Sequence, residues 1–301
     1  MRSEPATYTG RFAPSPTGPL HFGSLLAAVA SYIDARHNDG TWLVRMENLD
    51  PPREPPGTDQ VILKQLIAHG LHWDEEILYQ GNRLHAYDEC IETLRTSRNC
   101  FWCNCSRPRL KSLNGIYDGY CRTKTEKPEG EHALRVQTDD RNIEIADIVQ
   151  GPYSTYLQSE TGDFVILRKD GLHAYQLAVV VDDAWQNITH VVRGMDLLDS
   201  TPRQVYLQNL LGFSTPRYAH IPVLVDQQGN KLSKQHFSDP VPEGKEEHTL
   251  FTCLELLGQT PPRDLLTAPI KQILEWASER WDIQAVPRVA TLPEPVGSSK
   301  T

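Results

Sequence analysis

The 301-residue sequence predicts an α/β fold, an open parallel sheet split by a cysteine-rich insertion and followed by a short helical C-terminal region. Strand and helix patterns alternate from residue 7 to 69 and again from 172 to 225, as parallel strands joined by helical crossovers do. Between these blocks, Cys100, Cys103, Cys105 and Cys121 fall in a stretch rich in Lys, Arg, Gly and Pro with little periodicity.

Residues 7–13 read as a strand running into the rigid turn 14–19. A helix follows over 21–36, with Leu25, Leu26, Val29 and Ile33 at helical spacing. An apolar strand spans 41–46. A second helix spans 58–69, with Thr58 as N-cap and Gly70 as stop signal. A helix over 82–97 precedes the cysteine-rich stretch, and short strands resume at 133–137, 143–149 and 164–167. The second block reads helix 174–184, strand 190–193, helix 202–211 and strand 219–225. Two helices, 247–257 and 269–280, lead into a polar, Pro-containing tail expected to fray. The resulting division is 1–84 for the first half of the sheet domain, 85–170 for the insertion, 171–237 for the second half and 238–301 for the helical region.

Six Trp, eleven Tyr and seven Phe can anchor a packed core, which excludes disorder over most of the length. No apolar run approaches the ~20 residues of a membrane helix, and no export signal opens the chain. A cytoplasmic location and reduced thiols are therefore expected, and the clustered cysteines read as a metal site rather than a disulfide framework. Thirty Lys and Arg against 39 Asp and Glu give a net charge of −9. Any RNA contact must then be local, for instance a basic patch at Arg107, Arg109, Lys111, Arg122 and Lys124, rather than a whole-surface attraction.

Two strings carry chemistry. Arg11-Phe12-Ala13-Pro14-Ser15-Pro16-Thr17-Gly18, with His21-Phe22-Gly23-Ser24 behind it, ends a strand and opens a helix. A helix N-terminus offers free N–H groups and a positive dipole to a phosphate, Gly23 allows close approach, and His21 can donate to a phosphoryl oxygen. Lys231-Leu232-Ser233-Lys234-Gln235 follows a turn after the last strand, where two lysines suit a clamp on a pyrophosphate leaving group. Glu47 and Arg193 stand at the carboxyl ends of predicted strands, where open α/β sheets bind ligands. Asp182-Asp183 reads either as a metal-binding pair or as a solvated helix end.

The first string resembles the HIGH signature of class I aminoacyl-tRNA synthetases in its glutamyl-branch form, with Ser24 at the fourth HIGH position. The glutaminyl branch differs inside the same string. The second string resembles the KMSKS loop of the same enzymes. The resemblance implies a Rossmann-like catalytic domain that binds L-glutamate, ATP and the magnesium that travels with ATP. It implies that Arg11, Phe12, Ala13, Pro14, Ser15, Glu47, Tyr175 and Arg193 hold glutamate, with Glu47 on the α-ammonium. His21, Gly23, Ser24, Lys231 and Lys234 would hold ATP, with His21, Gly23 and Lys234 acting in catalysis.

For the cysteines, zinc wants four ligands. Cys103, Cys105 and Cys121 supply three, and from the residues alone Cys100 is the obvious fourth, with His132 a lesser one. Short glutamyl-synthetase-like proteins carry C-x-C and then Y-x3-C, so the resemblance implies Tyr117 instead, in a structural Zn2+ site. Only residues 236–301 follow the lysine loop, too few for both the stem-contact and anticodon-binding regions of a full glutamyl-tRNA synthetase. Together these features resemble the glutamyl-Q tRNA(Asp) synthetases. For that family, tRNA-independent glutamate activation and transfer to the queuosine of tRNA(Asp) are implied. A shortened synthetase charging the 3′ end of tRNA(Glu), another adenylate-forming enzyme and a zinc-stapled tRNA-binding module stand as alternatives. Nothing in the sequence demands more than a monomer.

Overall fold

The computed structural model describes residues 7–124, 126–231 and 239–295. Strand β1 (Thr9–Phe12) leads through the Pro/Gly turn to α1 (Phe22–His37), and β2 (Thr41–Met46) returns parallel to β1 with Arg11 opposite Leu43. Period-two alternation puts Trp42, Val44 and Met46 of β2 in one core and Leu43 in the other. Helix α2 (Thr58–Ala68) begins one position off the expected cap. Gly57, at φ 81°, is the N-cap, and the Thr58 hydroxyl donates instead to Pro55 O at 2.8 Å. A two-residue strand, β3 (Leu78–Tyr79), pairs parallel to β2, and α3 (Leu84–Thr96) follows.

The cysteine-rich stretch has more structure than its composition suggests. Strand β4 (Cys100–Cys103), helix α4 (Arg107–Ser112), strand β5 (Ala133–Val136), hairpin β6 (Asn142–Asp147) and β7 (Gly151–Tyr156), helix α5 (Leu157–Glu160) and strand β8 (Val165–Leu167) succeed one another. β5 lies between β4 and β8, antiparallel to both. The sequence gives no warning of β7, whose GPYSTY composition masks its pairing with the alternating β6.

The parallel pattern then resumes with α6 (Tyr175–Trp185), β9 (His190–Gly194), α7 (Thr201–Leu211) and β10 (Arg217–Ile221), β9 and β10 being parallel. Thr189 N donates to Thr9 O at 2.9 Å, which sets β9 beside β1. The single strand expected over 219–225 is two, because Pro222 has no N–H to offer a ladder. β11 (Val223–Val225) leaves β10 and pairs with a different partner. Helices α8 (Glu246–Leu256) and α9 (Ile270–Arg280) follow. Of the tail expected to fray, Thr291–Pro293 instead forms β12, parallel to β11, while 296–301 lie outside the described residues.

Helices α1, α2, α8 and α9 share one core against the parallel strands, and α3, α6 and α7 share the other. Asp34 of α1 ties the layers near the far end. It accepts from Tyr8 OH and from Trp281 Nε1, just past α9, at 2.8 Å. No helix among the described residues is long and apolar enough to cross a membrane.

Candidate functional site

The carboxyl ends of β1, β2, β9 and β10 and the start of α1 open on one cavity of about 480 Å³. It gathers residues far apart in sequence. Arg11, Phe12, Ala13, Pro14 and Ser15 come from the end of β1, and Glu47 from the end of β2. Tyr175 comes from the start of α6 and Arg193 from β9, while His21, Gly23 and Ser24 come from the start of α1. Lys231 closes the rim. Of the expected site residues, only Lys234 lies outside the described residues. The Glu47 N–H donates to Pro14 O at 3.0 Å, clipping the turn onto β2.

His21 is the N-cap of α1. Its Nδ1 accepts from Ser24 N at 3.3 Å, so a neutral ring carries its proton on Nε2, 2.8 Å from Ser24 Oγ. Ser24, the departure from the HIGH pattern, thus orients His21. A Cβ at Gly23 would stand 3.2 Å from two atoms of the His21 ring, so glycine lets that ring fold over the helix start. The chain beyond the lysine loop comes back to the same point, where Pro240 bridges His21 and Val241 N donates to Leu20 O at 3.0 Å.

Asp183 organises the amino-acid end. It is 4% exposed and takes Arg11 on both oxygens (Nε 3.1 Å, NH2 3.4 Å) and Arg45 NH2 at 2.6 Å. Burial would push its carboxyl up, but the two guanidiniums outweigh that and hold it below the usual carboxylate range. Asp182 is buried as well, on Arg83, Gln80 and Tyr87. The Asp182-Asp183 pair is therefore neither a solvated helix end nor an acid pair open to a metal. Glu47 Oε1 lies 3.9 Å from Arg45 Nε, and neither atom has a hydrogen-bond partner among the described residues. Burial raises the Glu47 carboxyl to about 7 against the pull of Arg45 and Arg11. A cation entering the cavity would meet this carboxylate.

The ligating atoms of Cys103, Cys105 and Cys121 lie within 4.8 Å of one another, all three residues buried, and can hold a metal ion. Tyr117 OH stands 3.5 Å from Cys103 Sγ and 3.4 Å from Cys105 Sγ, and accepts from Cys121 N at 3.1 Å. Cys100, at the other end of β4, packs against the core shared by α3, α6 and α7, where burial pushes its thiol up to about 12. His132 is half-buried, its ring edge-on to Trp102 and its Nδ1 turned to Gly130 O. Burial pushes the Cys103 thiol up as well, but the Tyr117 hydroxyl, the Cys105 N–H and Arg135 bring it down to about 7. Gly162 makes room for the tyrosine, since a Cβ there would lie 2.4 Å from Tyr117 N. Within the proposed basic patch, Arg122 does not face outward. It is clamped on buried Asp163 (2.8 and 2.6 Å), and Arg109 is paired with Asp118.

Residues 8–265 match the family of class I tRNA synthetases (E and Q), catalytic domain. Over 289 residues, 96% of this chain and 98% of its relative, the sequence is 51% identical to a glutamyl-Q tRNA(Asp) synthetase of Pseudomonas aeruginosa. It is 49% identical to one of Pseudomonas fluorescens over 97% of this chain and 98% of that protein. The chain belongs to the glutamyl-Q tRNA(Asp) synthetase family. Among solved structures, a glutamate-tRNA synthetase from Elizabethkingia anophelis superposes with a TM-score of 0.80 at 24% identity, over 97% of this chain and 69% of that one. A glutamate tRNA ligase from Elizabethkingia meningosepticum in complex with its amino acid gives 0.78 at 24% identity, over 95% and 66%. These two show the fold.

Around the pocket of this glutamyl-Q tRNA(Asp) synthetase family member, sequence reading missed Arg45, His220, Asp147 and Asp196. Arg45 is hidden because it is fully buried beneath Glu47 and shows no motif. Asp196 lines the cavity and pairs with Lys231. A Cβ on Gly194 would stand 2.5 Å from Asp196 Oδ1, so the glycine ending β9 is a readable trace of that fit.

Proposed function

We propose that this chain joins L-glutamate to ATP without tRNA, giving glutamyl-adenylate and pyrophosphate. It then passes the glutamyl group to the cyclopentenediol of queuosine in the anticodon loop of tRNA(Asp). The single observation that carries the reading is the cavity itself. A nearly buried carboxylate, Glu47, and two guanidiniums, Arg11 and Arg193, share its floor with the helix start at His21. Glutamate brings one cation and two anions, and this charge set complements it.

In the first step a glutamate α-carboxylate oxygen attacks the α-phosphorus of ATP in line, and pyrophosphate leaves. Glu47 receives the α-ammonium. Arg11 and Arg193 receive the carboxylates. Each has its Nε and NH2 committed to protein partners, so each turns its remaining NH1 edge to the substrate. His21 Nε2–H, exchanging Ser24 Oγ for a phosphoryl oxygen, and the first-turn N–H groups of α1 that His21 does not cap stabilise charge on the phosphates, with Gly23 giving clearance. Lys231 and Lys234 take the leaving pyrophosphate, with magnesium accompanying ATP. In the second step a hydroxyl of the modified nucleoside attacks the acyl carbon of the mixed anhydride and AMP leaves. No enzyme nucleophile is needed, because positioning and electrostatics suffice.

Cys103, Cys105, Tyr117 and Cys121 would hold a structural Zn2+, which fixes the fold around it and leaves no open position for chemistry. The donor set supports this, with three clustered thiols and a phenol oxygen already accepting a backbone N–H. An aqueous, cytoplasmic setting fits a partner that is tRNA.

The test is glutamate-dependent ATP–pyrophosphate exchange with purified protein and no tRNA. Robust exchange, followed by glutamate transfer to queuosine-containing tRNA(Asp) and not to the unmodified tRNA, is the expected result. Exchange that appears only on adding tRNA(Glu) would instead mean a shortened charging enzyme.

A further inference from the structure

Arg193 reaches the amino-acid pocket through a buried relay that the reaction described above does not use. Its Nε–H donates to His220 Nε2 at 3.0 Å, and its NH2 donates to Thr201 Oγ1 at 2.7 Å. His220, wholly buried, presents its other nitrogen, Nδ1, to Asp147 Oδ2 at 2.6 Å. An arginine can only donate, so Nε2 must be the acceptor and the ring proton must sit on Nδ1. Asp147 holds that tautomer and is itself locked. Its Oδ1 accepts the N–H groups of Val149 at 3.0 Å and Gln150 at 2.8 Å, and both oxygens lie 3.2 Å from His220 N. The three residues come from β9, β10 and the end of β6, so the relay links the glutamate pocket to the hairpin of the 142–156 segment.

We infer that His220, fixed by Asp147, is a positioning residue that aims the NH1 edge of Arg193 at a carboxylate of bound glutamate. The inference rests on the glutamate-activating function proposed above. With Nε taken by His220 and NH2 by Thr201, the guanidinium cannot rotate about its Cδ–Nε bond without breaking both bonds. NH1 gives one hydrogen to Tyr175 OH at 3.4 Å and keeps the other for the pocket. His220 touches no substrate and acts through Arg193.

Asp147→Asn gives the sharpest test. The three backbone N–H groups keep the amide oxygen at the Oδ1 position, which leaves the amide NH2 facing His220 Nδ1. The ring must then accept there and move its proton to Nε2, where Thr201 Oγ1 at 3.1 Å can take it, and the Arg193 Nε–H loses its acceptor. Long-range 15N NMR of the imidazole reads this directly, as Nδ1–H in the parent and Nε2–H in Asp147→Asn. In ATP–pyrophosphate exchange, the KM for glutamate should rise about tenfold or more, the weight of one hydrogen bond to a charged group. The KM for ATP and kcat should stay close to the parent. His220→Leu should behave the same way, and His220→Gln, whose Oε1 can take the place of Nε2, should recover part of the loss. A parent ring protonated on Nε2 or on both nitrogens would overturn the inference whatever the activity. So would variants in which kcat and both KM values change together. A parent with the Nδ1–H tautomer but no glutamate-dependent exchange would keep the relay and refute its role along with the functional reading. Loss of exchange alone cannot be mistaken for loss of the relay.

Discussion

Glu47 spends its free state near its own pKa of about 7, raised from 4.5 chiefly by burial. A carboxyl raised on folding contributes stability below the unfolded value, and that contribution is lost as pH rises through the folded one. The empty pocket is therefore least comfortable above neutral pH, where a bound ammonium helps most. The KM for glutamate should rise about tenfold for each pH unit below 7, and Glu47→Gln should raise it overall while flattening that profile. Asp183 has the opposite sign. Replacing it with Ala leaves Arg11 and Arg45 buried without their shared counter-charge, and chemical denaturation should show a loss of ~3–5 kcal/mol. At this scale the sequence was half legible. Glu47 and Arg193 could be found because strand ends are where such sheets bind ligands. Asp183 and His220 could not, because their meaning lies in partners 172 and 73 residues away.

Among the elements, those with strong periodicity were readable to within a residue or two. α1 and β2 are examples, the one with apolar residues at helical spacing and the other a mostly apolar run buried on both faces. The misses have physical causes. β7, though next to β6 in a hairpin, carries a Gly-Pro-rich, polar stretch with no apolar alternation of its own, and β11 and β12 are three-residue strands whose pairing is set by a partner far along the chain. The knuckle around Cys103 shows the same dependence, since Tyr117 stands among the thiols only because Gly162, at φ 70°, lets its backbone approach. Gly162→Ala should loosen that fit, and Tyr117→Phe should remove the oxygen. With the proposed Zn2+ loaded, each should weaken metal affinity by ~10–100-fold in competition with a chelator, with Cys121→Ala showing loss of bound metal by elemental analysis.

For the whole molecule, the parallel sheet, the lysine turn and the C-terminal segment form one mechanical unit. Val225 pairs with Pro293 and also bridges to Lys231, so β12 braces the strand from which the lysine loop departs. Truncation after Val286 should lower the Tm and reduce pyrophosphate exchange more than it reduces glutamate binding, measured by calorimetry with the amino acid alone. Arg11, Glu47 and Arg193 lie on or at the ends of β1, β2 and β9, none of which pairs with β12.

The same pairing sets a timetable for synthesis. β11 is synthesised, and clears the ribosome, 68 residues ahead of its partner β12, an interval of roughly 3–14 s at ~5–20 residues per second. Until then the nascent sheet ends in an unsatisfied edge beside the lysine turn, open to a protease or to a stray strand. Ribosome-bound chains stalled before residue 290 should be cut near 226–231, and chains extended far enough for residue 293 to clear the exit tunnel should resist. Nucleotide-site assembly is thereby among the last events in this protein's birth.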